Sequence, residues 1–388
     1  MTDQRLVAGV RERLARLGGR PTHEQVVDAL RASDIVLGST ALDEMVREVR
    51  AELLGAGPLQ RLLDDESVTD VLVNSPTEIW VDSGRGLRRT GLTLESHDAV
   101  RELAVRLAAA GGQRLDDSSP TVDARLPDGT RLHAVLAPIC TDGAVISLRV
   151  LRSRSFTLAE LVDAWMIPPA WEPVLRAIVT ARASFLVSGA TGTGKTTLLS
   201  ALLAVVDPAE RIVTIEEARE LAPSHPHVVP LAARRANVEG TGAVDLADLV
   251  RNALRMRPDR IVLGECRGAE VRDVLTALNT GHSGGCATLH ANTAADVPAR
   301  LEALAALAGM TRESLAAQAL SALDAVIHLR RVAAADGERR RFVGEIGVVR
   351  RSAAGELEVR PALTWNGIGA PVEHADWAAL SARLGASG

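Results

Sequence analysis

The segment from Phe185 to Thr197 constrains the fold more than any other part of the sequence. Phe185 to Ser188 predict a buried strand, and the next eight residues, GATGTGKT, match the phosphate-loop pattern GxxxxGK[ST]. A helical pattern begins at Lys195 and ends before Pro208. This order of strand, glycine-rich turn and helix directs backbone N–H groups and the positive end of a helix dipole at one point. The segment therefore predicts a binding site for a polyphosphate group.

Lys195 is the single lysine among the 44 basic residues, and the other 43 are arginines. A compact ammonium suits this loop, where a planar guanidinium would crowd it, so we expect Lys195 to neutralise nucleotide phosphates. The Thr196 hydroxyl is expected to join the shell of a Mg²⁺ ion. The residues expected to contact the nucleotide along the loop are Gly189, Ala190, Thr191, Gly192, Thr193, Gly194, Lys195, Thr196 and Thr197. The sequence thus predicts a nucleotide-binding protein.

The amino-acid composition limits which partners and which cellular compartment we expect for this protein. A net charge of −5 gives no sign that nucleic acid is the main partner. Cys140, Cys266 and Cys286 are odd in number and far apart, which indicates a reducing compartment and argues against a disulfide framework or zinc site. The N-terminus does not have a signal-peptide pattern, and no apolar run reaches about 18 residues. We expect a cytoplasmic protein that associates with a membrane through partners.

The hydrophobic pattern predicts an α/β protein of several domains over its 388 residues. Residues 1–55 predict a helical segment, which is either a surface bundle or a docking module, and residues 56–150 predict a small α/β domain. A linker is expected over 151–170. Residues 171–388 alternate strand and helix after the phosphate loop, which favours a parallel sheet with right-handed crossovers. C-terminal helices and a loose Ala/Arg-rich tail after about Val332 are expected to complete this domain.

Three acidic residues end predicted strands, at the sheet edge where ligands bind in open α/β folds. Glu265 ends an apolar strand, the position from which a carboxylate can orient an attacking water or hold the Mg²⁺ shell. Glu216 and Glu217 end another strand. Neighbouring strand residues face opposite ways, so only one of this pair is expected to reach the metal.

Histidines and arginines supply further candidates. His282 and His290 are placed at the same edge, but their spacing of eight residues does not suit a metal pair. Each is either a core histidine or a neutral group that hydrogen-bonds a terminal phosphate. Arg149, Arg152 and the Arg234-Arg235 pair are candidates to complete a neighbour's site in a ring, or else form surface ion pairs.

These segments together resemble the secretion-ATPase superfamily of type II and type IV secretion, and most closely the CpaF/TadA family of Tad (Flp) pilus assembly ATPases. The resemblance covers about Leu53 to Leu329. The segments that carry it are GAGPLQRLL, VTDVLVNSPTEIWV, GATGTGKTT, TIEEARELA, NVEGTGAVDLADLVRNALRMRPDRIVLGECRGAE and TGHSGGCATLHAN.

The resemblance implies a RecA-like P-loop domain behind a smaller α/β domain, working as a hexameric ring. It implies ATP hydrolysis with Mg²⁺, coupled to domain motion that drives pilin assembly or substrate export at a polytopic inner-membrane platform protein. It also implies residue roles: Lys195 and Thr196 on phosphate and Mg²⁺, Glu265 and Glu216 as catalytic or metal-organising acids, His290 as catalytic, His282 as nucleotide-binding, and Arg149 and Arg152 as nucleotide-clamping.

Two positions depart from the family pattern. Glu217 stands where an aspartate is usual, and Arg234-Arg-Ala-Asn237 replaces Arg-Pro-Pro-Asn. A conjugal-transfer-associated role and a nucleic-acid-translocating ATPase are the alternatives, although no Tyr, three Phe and five Trp provide few stacking platforms. A non-enzymatic nucleotide-binding scaffold is a third. A GTPase is disfavoured, because the single lysine cannot also serve an Asn-Lys-x-Asp motif.

Overall fold

The computed structural model describes residues 55–84, 86–150, 155–234, 241–333 and 339–385. The predicted N-terminal helical segment, Arg152, Arg235 and Asn237 therefore lie outside the described residues, apart from Gly55 at the end of that segment. The chain divides into two compact units, Met1–Arg152 and Ser153–Gly388. No helix in the described ranges is both long enough and apolar enough to cross a lipid bilayer.

The first unit contains an antiparallel sheet of six strands in the order β3-β2-β1-β6-β5-β4. Helix α2 begins where the Ser96 side chain accepts a hydrogen bond from the Ala99 amide, and it buries Leu103 and Leu107 among the sheet's apolar residues. The elements are α1 (Gln60–Asp64), β1 (Asp70–Ser75), β2 (Glu78–Asp82), β3 (Leu87–Arg89), α2 (His97–Ala110), β4 (Thr121–Arg125), β5 (Arg131–Leu136) and β6 (Ala144–Arg149).

The second unit is built on a sheet of nine strands in the order β15-β14-β13-β12-β7-β11-β10-β8-β9. Strands β12, β7, β11, β10, β8 and β9 are parallel, and β13 to β15 extend the sheet as antiparallel strands. The strands are β7 (Phe185–Gly189), β8 (Ile212–Glu216), β9 (Val228–Ala232), β10 (Arg260–Cys266), β11 (Cys286–Leu289), β12 (Ala325–Ala333), β13 (Arg339–Arg351), β14 (Leu357–Thr364) and β15 (Val372–Glu373).

Helices cover both faces of this sheet, because successive strand residues alternate between two cores. Phe185 and Val187 join one core, and Leu186 between them joins the other. The first core is closed by α3 (Leu158–Asp163), α4 (Glu172–Thr180), α5 (Lys195–Leu203) and α10 (Trp377–Arg383). The second is closed by α6 (Leu246–Ala253), α7 (Glu270–Asn279), α8 (Val297–Leu307) and α9 (Arg312–Ala322).

Most of the predicted linker 151–170 belongs to the core of the second unit. Thr157 and Glu160 form a capping box at the start of α3. Leu158 and Ile167 are buried in the same cluster as Phe185. The expected linker is therefore too long, since this stretch packs under the sheet that carries the phosphate loop.

The prediction of a loose tail after Val332 is wrong. Strand β13 is 13 residues long and pairs with both β12 and β14. Its apolar residues, among them Val343 and Ile346, are buried in the first core. Arginines stand at both ends of this strand, so its short apolar stretch did not predict a strand from the sequence.

Candidate active site

The phosphate loop joins the end of β7 to the start of α5, as the sequence predicts. Gly189, Gly192 and Gly194 have φ angles of 151°, 72° and 96°, which side chains rarely adopt. A Cβ at Gly189 would lie 2.7 Å from the Leu329 carbonyl oxygen. Glycine is therefore required where the strand turns into the loop, and the loop keeps a backbone cradle that can wrap a polyphosphate.

Lys195 lies at the first helical position and is buried. Its Nζ donates hydrogen bonds to the carbonyl oxygens of Gly189 at 3.0 Å and Ala190 at 3.1 Å. Burial is the largest cause of its lowered pKa, and the nearby Glu265 carboxylate acts in the opposite direction. The buried Thr193 hydroxyl also donates to Ala190, at 2.9 Å. The ammonium is thus held against its own loop by weak carbonyl partners that phosphate oxygens could replace.

His290 lies between Lys195 and Glu265, because β11 is the strand between β7 and β10. Lys195 Nζ lies 3.4 Å from His290 Nδ1, and His290 Nε2 lies 2.6 Å from Glu265 Oε1. Burial lowers the pKa of His290, and the Lys195 ammonium lowers it further. Both effects favour the neutral imidazole, in which Nδ1 can accept from the lysine while Nε2 lies beside the carboxylate, whose charge acts in the opposite direction.

Arg267 extends this line of contacts and was not among the predicted site residues. Its guanidinium contacts Glu265 Oε2 at 2.6 Å and Glu217 Oε2 at 3.0 Å. Hydrogen bonding to Glu265 raises the pKa of Arg267. Its position two residues after Glu265 could have suggested it, because residues two apart in an extended chain share a face.

Glu216 is buried at the end of β8, and Glu217 is exposed, so the two acids do diverge. Glu216 Oε1 accepts hydrogen bonds from the amides of Glu220 at 2.8 Å and Leu221 at 2.9 Å. Its side chain lies against Gly264, where a Cβ would be 2.6 Å from Glu216 Cγ. Glu216 therefore supports the turn after β8 and contacts the strand that carries Glu265.

Of the other predicted site residues, His282 is not part of this group. His282 precedes β11 and contacts the Ala277 carbonyl, at the amino-terminal edge of the sheet, so its expected placement at the carboxyl edge is wrong. The chain must run the length of β11 between His282 and His290. Arg149 is exposed at the end of β6 in the first unit, and Arg152 is outside the described residues.

A cleft of about 560 Å³ opens beside the first half of the loop. Its polar lining includes Thr191, His290, Asn292, Asp296 and Arg300. Ligand cavities of proteins are commonly of this size. The cleft, the backbone cradle and Lys195 together fit a nucleotide.

Mg²⁺ also fits the donors present. In the part of the chain that the structure describes, no group of three or more His, Cys, Asp or Glu side chains could hold a metal ion. Mg²⁺ in nucleotide sites needs only one or two protein oxygens, because phosphates and water provide the rest. Thr196, on the first turn of α5, and Glu265, across the sheet edge, are the oxygen donors that would serve it.

His328 is a buried histidine that sequence patterns did not single out. It lies on β12, and its Nδ1 is 2.9 Å from the Ser188 hydroxyl, directly before the phosphate loop. Burial lowers its pKa to about 4. No local signal distinguishes it, because its partner is 140 residues away in the sequence.

A family model described as type II/IV secretion system protein matches residues 52–358. This range contains the phosphate loop, Glu216, Glu265 and His290. It also includes β12, β13 and the first residues of β14.

Curated relatives match most of the chain. A putative conjugal transfer protein of Mycobacterium tuberculosis is 51% identical over 337 residues, 85% of this chain and 94% of that protein. The type IV secretion system protein PtlH of Bordetella pertussis is 35% identical over 261 residues, 60% of this chain and 75% of that protein. The conjugal transfer protein TrbB of Rhizobium radiobacter is 31% identical over 248 residues, 63% of this chain and 74% of that protein.

Solved structures share the fold, which confirms the expected RecA-like architecture. The ATPase DotB of Legionella pneumophila matches with a TM-score of 0.53 and 23% identity over 73% of this chain and 78% of that chain. The pilus retraction motor PilT matches with a TM-score of 0.53 and 21% identity over 78% of this chain and 82% of that chain.

Proposed function

The chain belongs to the type II/IV secretion system protein family, and from that premise we propose that it is an ATP-hydrolysing motor. The observation that carries the proposal is the line of contacts from Lys195 through His290 to Glu265 beside the phosphate loop. A cation that binds phosphate and an acid that can orient water are parts that phosphoryl transfer to water uses, and here one histidine contacts both.

Each residue of the line has a distinct role in this proposal. The loop amides and Lys195 bind the phosphates, with Lys195 exchanging the carbonyls of Gly189 and Ala190 for phosphate oxygens. Glu265 orients the attacking water, and Arg267 holds that carboxylate from its other oxygen. Mg²⁺, held by Thr196 with Glu265 and Glu216 near it, would neutralise charge on the phosphates.

His290 connects Lys195, which binds phosphate in this proposal, with Glu265, which orients the attacking water. When Lys195 moves to the phosphates, His290 Nδ1 loses its donor, and the change reaches Glu265 through Nε2. The state of the phosphate loop is thereby communicated to the acid that acts on water. Neutral imidazole suits this task because it accepts at one nitrogen and donates at the other.

We further propose that six copies form a ring and act on a polytopic inner-membrane platform protein. Closed rings are a common symmetric assembly, and ring ATPases complete their sites with a neighbour's arginine. Arg149 and Arg152 are proposed for nucleotide contact, and the support for them is the sequence resemblance. Membrane association would then arise through the platform.

Two biological settings are candidates for such a motor. The sequence segments resemble those of Tad pilus assembly ATPases, while the curated relatives carry conjugal transfer and type IV secretion names. Introducing Lys195→Ala into the chromosomal gene would distinguish the two settings. Loss of surface pili with intact DNA transfer would support pilus assembly, and the reverse result would support conjugal transfer.

Steady-state phosphate release from the full chain tests the enzymatic proposal. We expect Lys195→Ala to lose nucleotide binding and turnover, and Glu265→Gln to bind ATP but release phosphate at least ~100-fold more slowly. Glu78→Gln, an exposed acid on β2, is the matched control and should behave like the unmodified chain. Retained turnover in both site variants would refute the proposal.

A further inference from the structure

Arg331 lies against the phosphate loop, although no loop or strand-end pattern marks it in the sequence. On β12, Leu329 is the partner of Gly189, so Arg331 is two residues beyond the end of β7. A Cβ at Gly192 would lie 3.0 Å from Arg331 Nη1. The guanidinium therefore reaches the middle of the loop from the neighbouring strand.

A second arginine is directly opposite the first. Arg331 pairs across the antiparallel ladder with Arg341 of β13, and both side chains are exposed. Like charges directly opposite each other on neighbouring strands are destabilising. Among the ion pairs of the described ranges, none includes Arg331 or Arg341. An anion between them would relieve the repulsion.

We propose that Arg331 and Arg341 form an anion subsite that binds the phosphate chain of the nucleotide from the side of the loop opposite His290. This inference rests on the proposed function. The spatial order of strands carries it: β11 with His290 lies on one side of β7, and β12 with Arg331 lies on the other. The loop is thus flanked by a neutral histidine on one side and two guanidinium groups on the other.

We assign the phosphate chain as the ligand because Arg331 approaches the phosphate loop. That loop is the part of the site that binds the phosphates in the proposed function. Arginine presents several N–H donors in a plane, so one guanidinium can contact loop-bound phosphate oxygens with two parallel hydrogen bonds. Arg341, one strand further away, would contribute mainly charge. Lys195 provides a single ammonium. The two arginines would hold the phosphate chain while that ammonium exchanges the carbonyls of Gly189 and Ala190 for phosphate oxygens.

Calorimetric titration of the full chain with ADP·Mg²⁺ and with inorganic tripolyphosphate tests the subsite. We expect Arg331→Gln to raise the Kd for both probes about tenfold or more, and Arg341→Gln to raise both about threefold. Arg331→Lys should recover part of the loss. Arg351→Gln, an exposed arginine at the other end of β13, is the matched control and should leave both values unchanged. The ligand-free melting temperature of Arg331→Gln should be no lower than that of the unmodified chain, because removing one cation relieves the repulsion with Arg341.

The outcomes separate this inference from the proposed function. Weaker ADP binding by Lys195→Ala together with unchanged binding by Arg331→Gln would overturn the subsite alone. Equal ADP binding by Lys195→Ala and the unmodified chain would overturn both. A loss for ADP with no change for tripolyphosphate would also overturn the subsite, because Arg331 would then contact the base or ribose.

Discussion

Four residues of the candidate site lie in a line, and charges along this line affect the pKa of Lys195, His290 and Arg267. In order the four are Lys195, His290, Glu265 and Arg267. The two cations lie on either side of the acid, and a neutral imidazole separates the lysine from it. Burial disfavours the charged forms of both Lys195 and His290. A nucleotide would place negative charge beside Lys195, in addition to the electrostatic attraction that Glu265 and Glu220 exert on it.

His328 provides a pH-dependent contribution to stability that the site chemistry does not use. The pKa of His328 is about 4 in the folded chain, below the ordinary value of 6.5, so the unfolded chain binds a proton first as pH falls. The contribution is present above pH 6.5 and is lost as pH falls toward 4. From pH 7 to pH 5 we expect the free energy of unfolding to drop by roughly 2 kcal/mol on account of this residue.

Urea unfolding of the full chain and of His328→Gln at both pH values measures this loss. Glutamine keeps a hydrogen-bond partner for Ser188 but does not titrate, so the variant should lose roughly 2 kcal/mol less than the unmodified chain over the interval. Equal losses in His328→Gln and the unmodified chain would contradict the assignment.

At the scale of elements, the loop between β7 and α5 shows how backbone conformation sets what a sequence segment can bind. Thr193 and Lys195 both return hydrogen bonds to the start of the loop, which keeps it compact. Gly189 allows close approach to β12, and Gly194 allows contact with Met166, whose Cε would be 2.8 Å from an added Cβ. The loop is therefore packed from two sides.

Gly189→Ala should disrupt this loop. The new Cβ would meet a backbone oxygen that cannot move aside, at a φ angle that alanine rarely adopts. We expect a loss of about 2–4 kcal/mol in unfolding free energy and little ADP binding. Gly91→Ala, where an added Cβ meets nothing within 4 Å, is the control and should change neither quantity. Normal ADP binding by Gly189→Ala would show that the loop does not need this conformation.

At the scale of the whole molecule, the second unit joins a parallel sheet to an antiparallel extension in one continuous structure. Strand β12 connects them, pairing with β7 on one side and β13 on the other. The same strand places His328 beside Ser188, directly before the phosphate loop, and Arg331 beside Gly192 in the middle of that loop. A strand outside the six segments that carry the family resemblance thereby becomes part of the candidate site.

The proposed ring has a mass that can be measured directly. Six chains of 41.0 kDa give about 246 kDa. We expect light scattering with ATP and Mg²⁺ to reach this mass, and Lys195→Ala to remain smaller under the same conditions, because nucleotide binding would favour the closed assembly. A monomer mass for the unmodified chain at every nucleotide concentration would contradict the ring.

The sequence by itself determined the features that depend on neighbours along the chain. The phosphate loop and the acid at the end of β10 were predicted where the structure has them. Each depends on backbone conformation or on hydrogen bonds within a few residues, so its signal is local. The α/β class followed from the alternation of strand and helix.

Only the tertiary structure decided which strands are neighbours. The insertion of β11 between β7 and β10 brought His290 between Lys195 and Glu265 and left His282 at the opposite edge. The pairing of β12 with β13 turned an apparent tail into sheet and brought Arg331 to the loop. Arginine is so common in this chain that composition could not single out one, and strand order arises from long-range packing that no local pattern encodes.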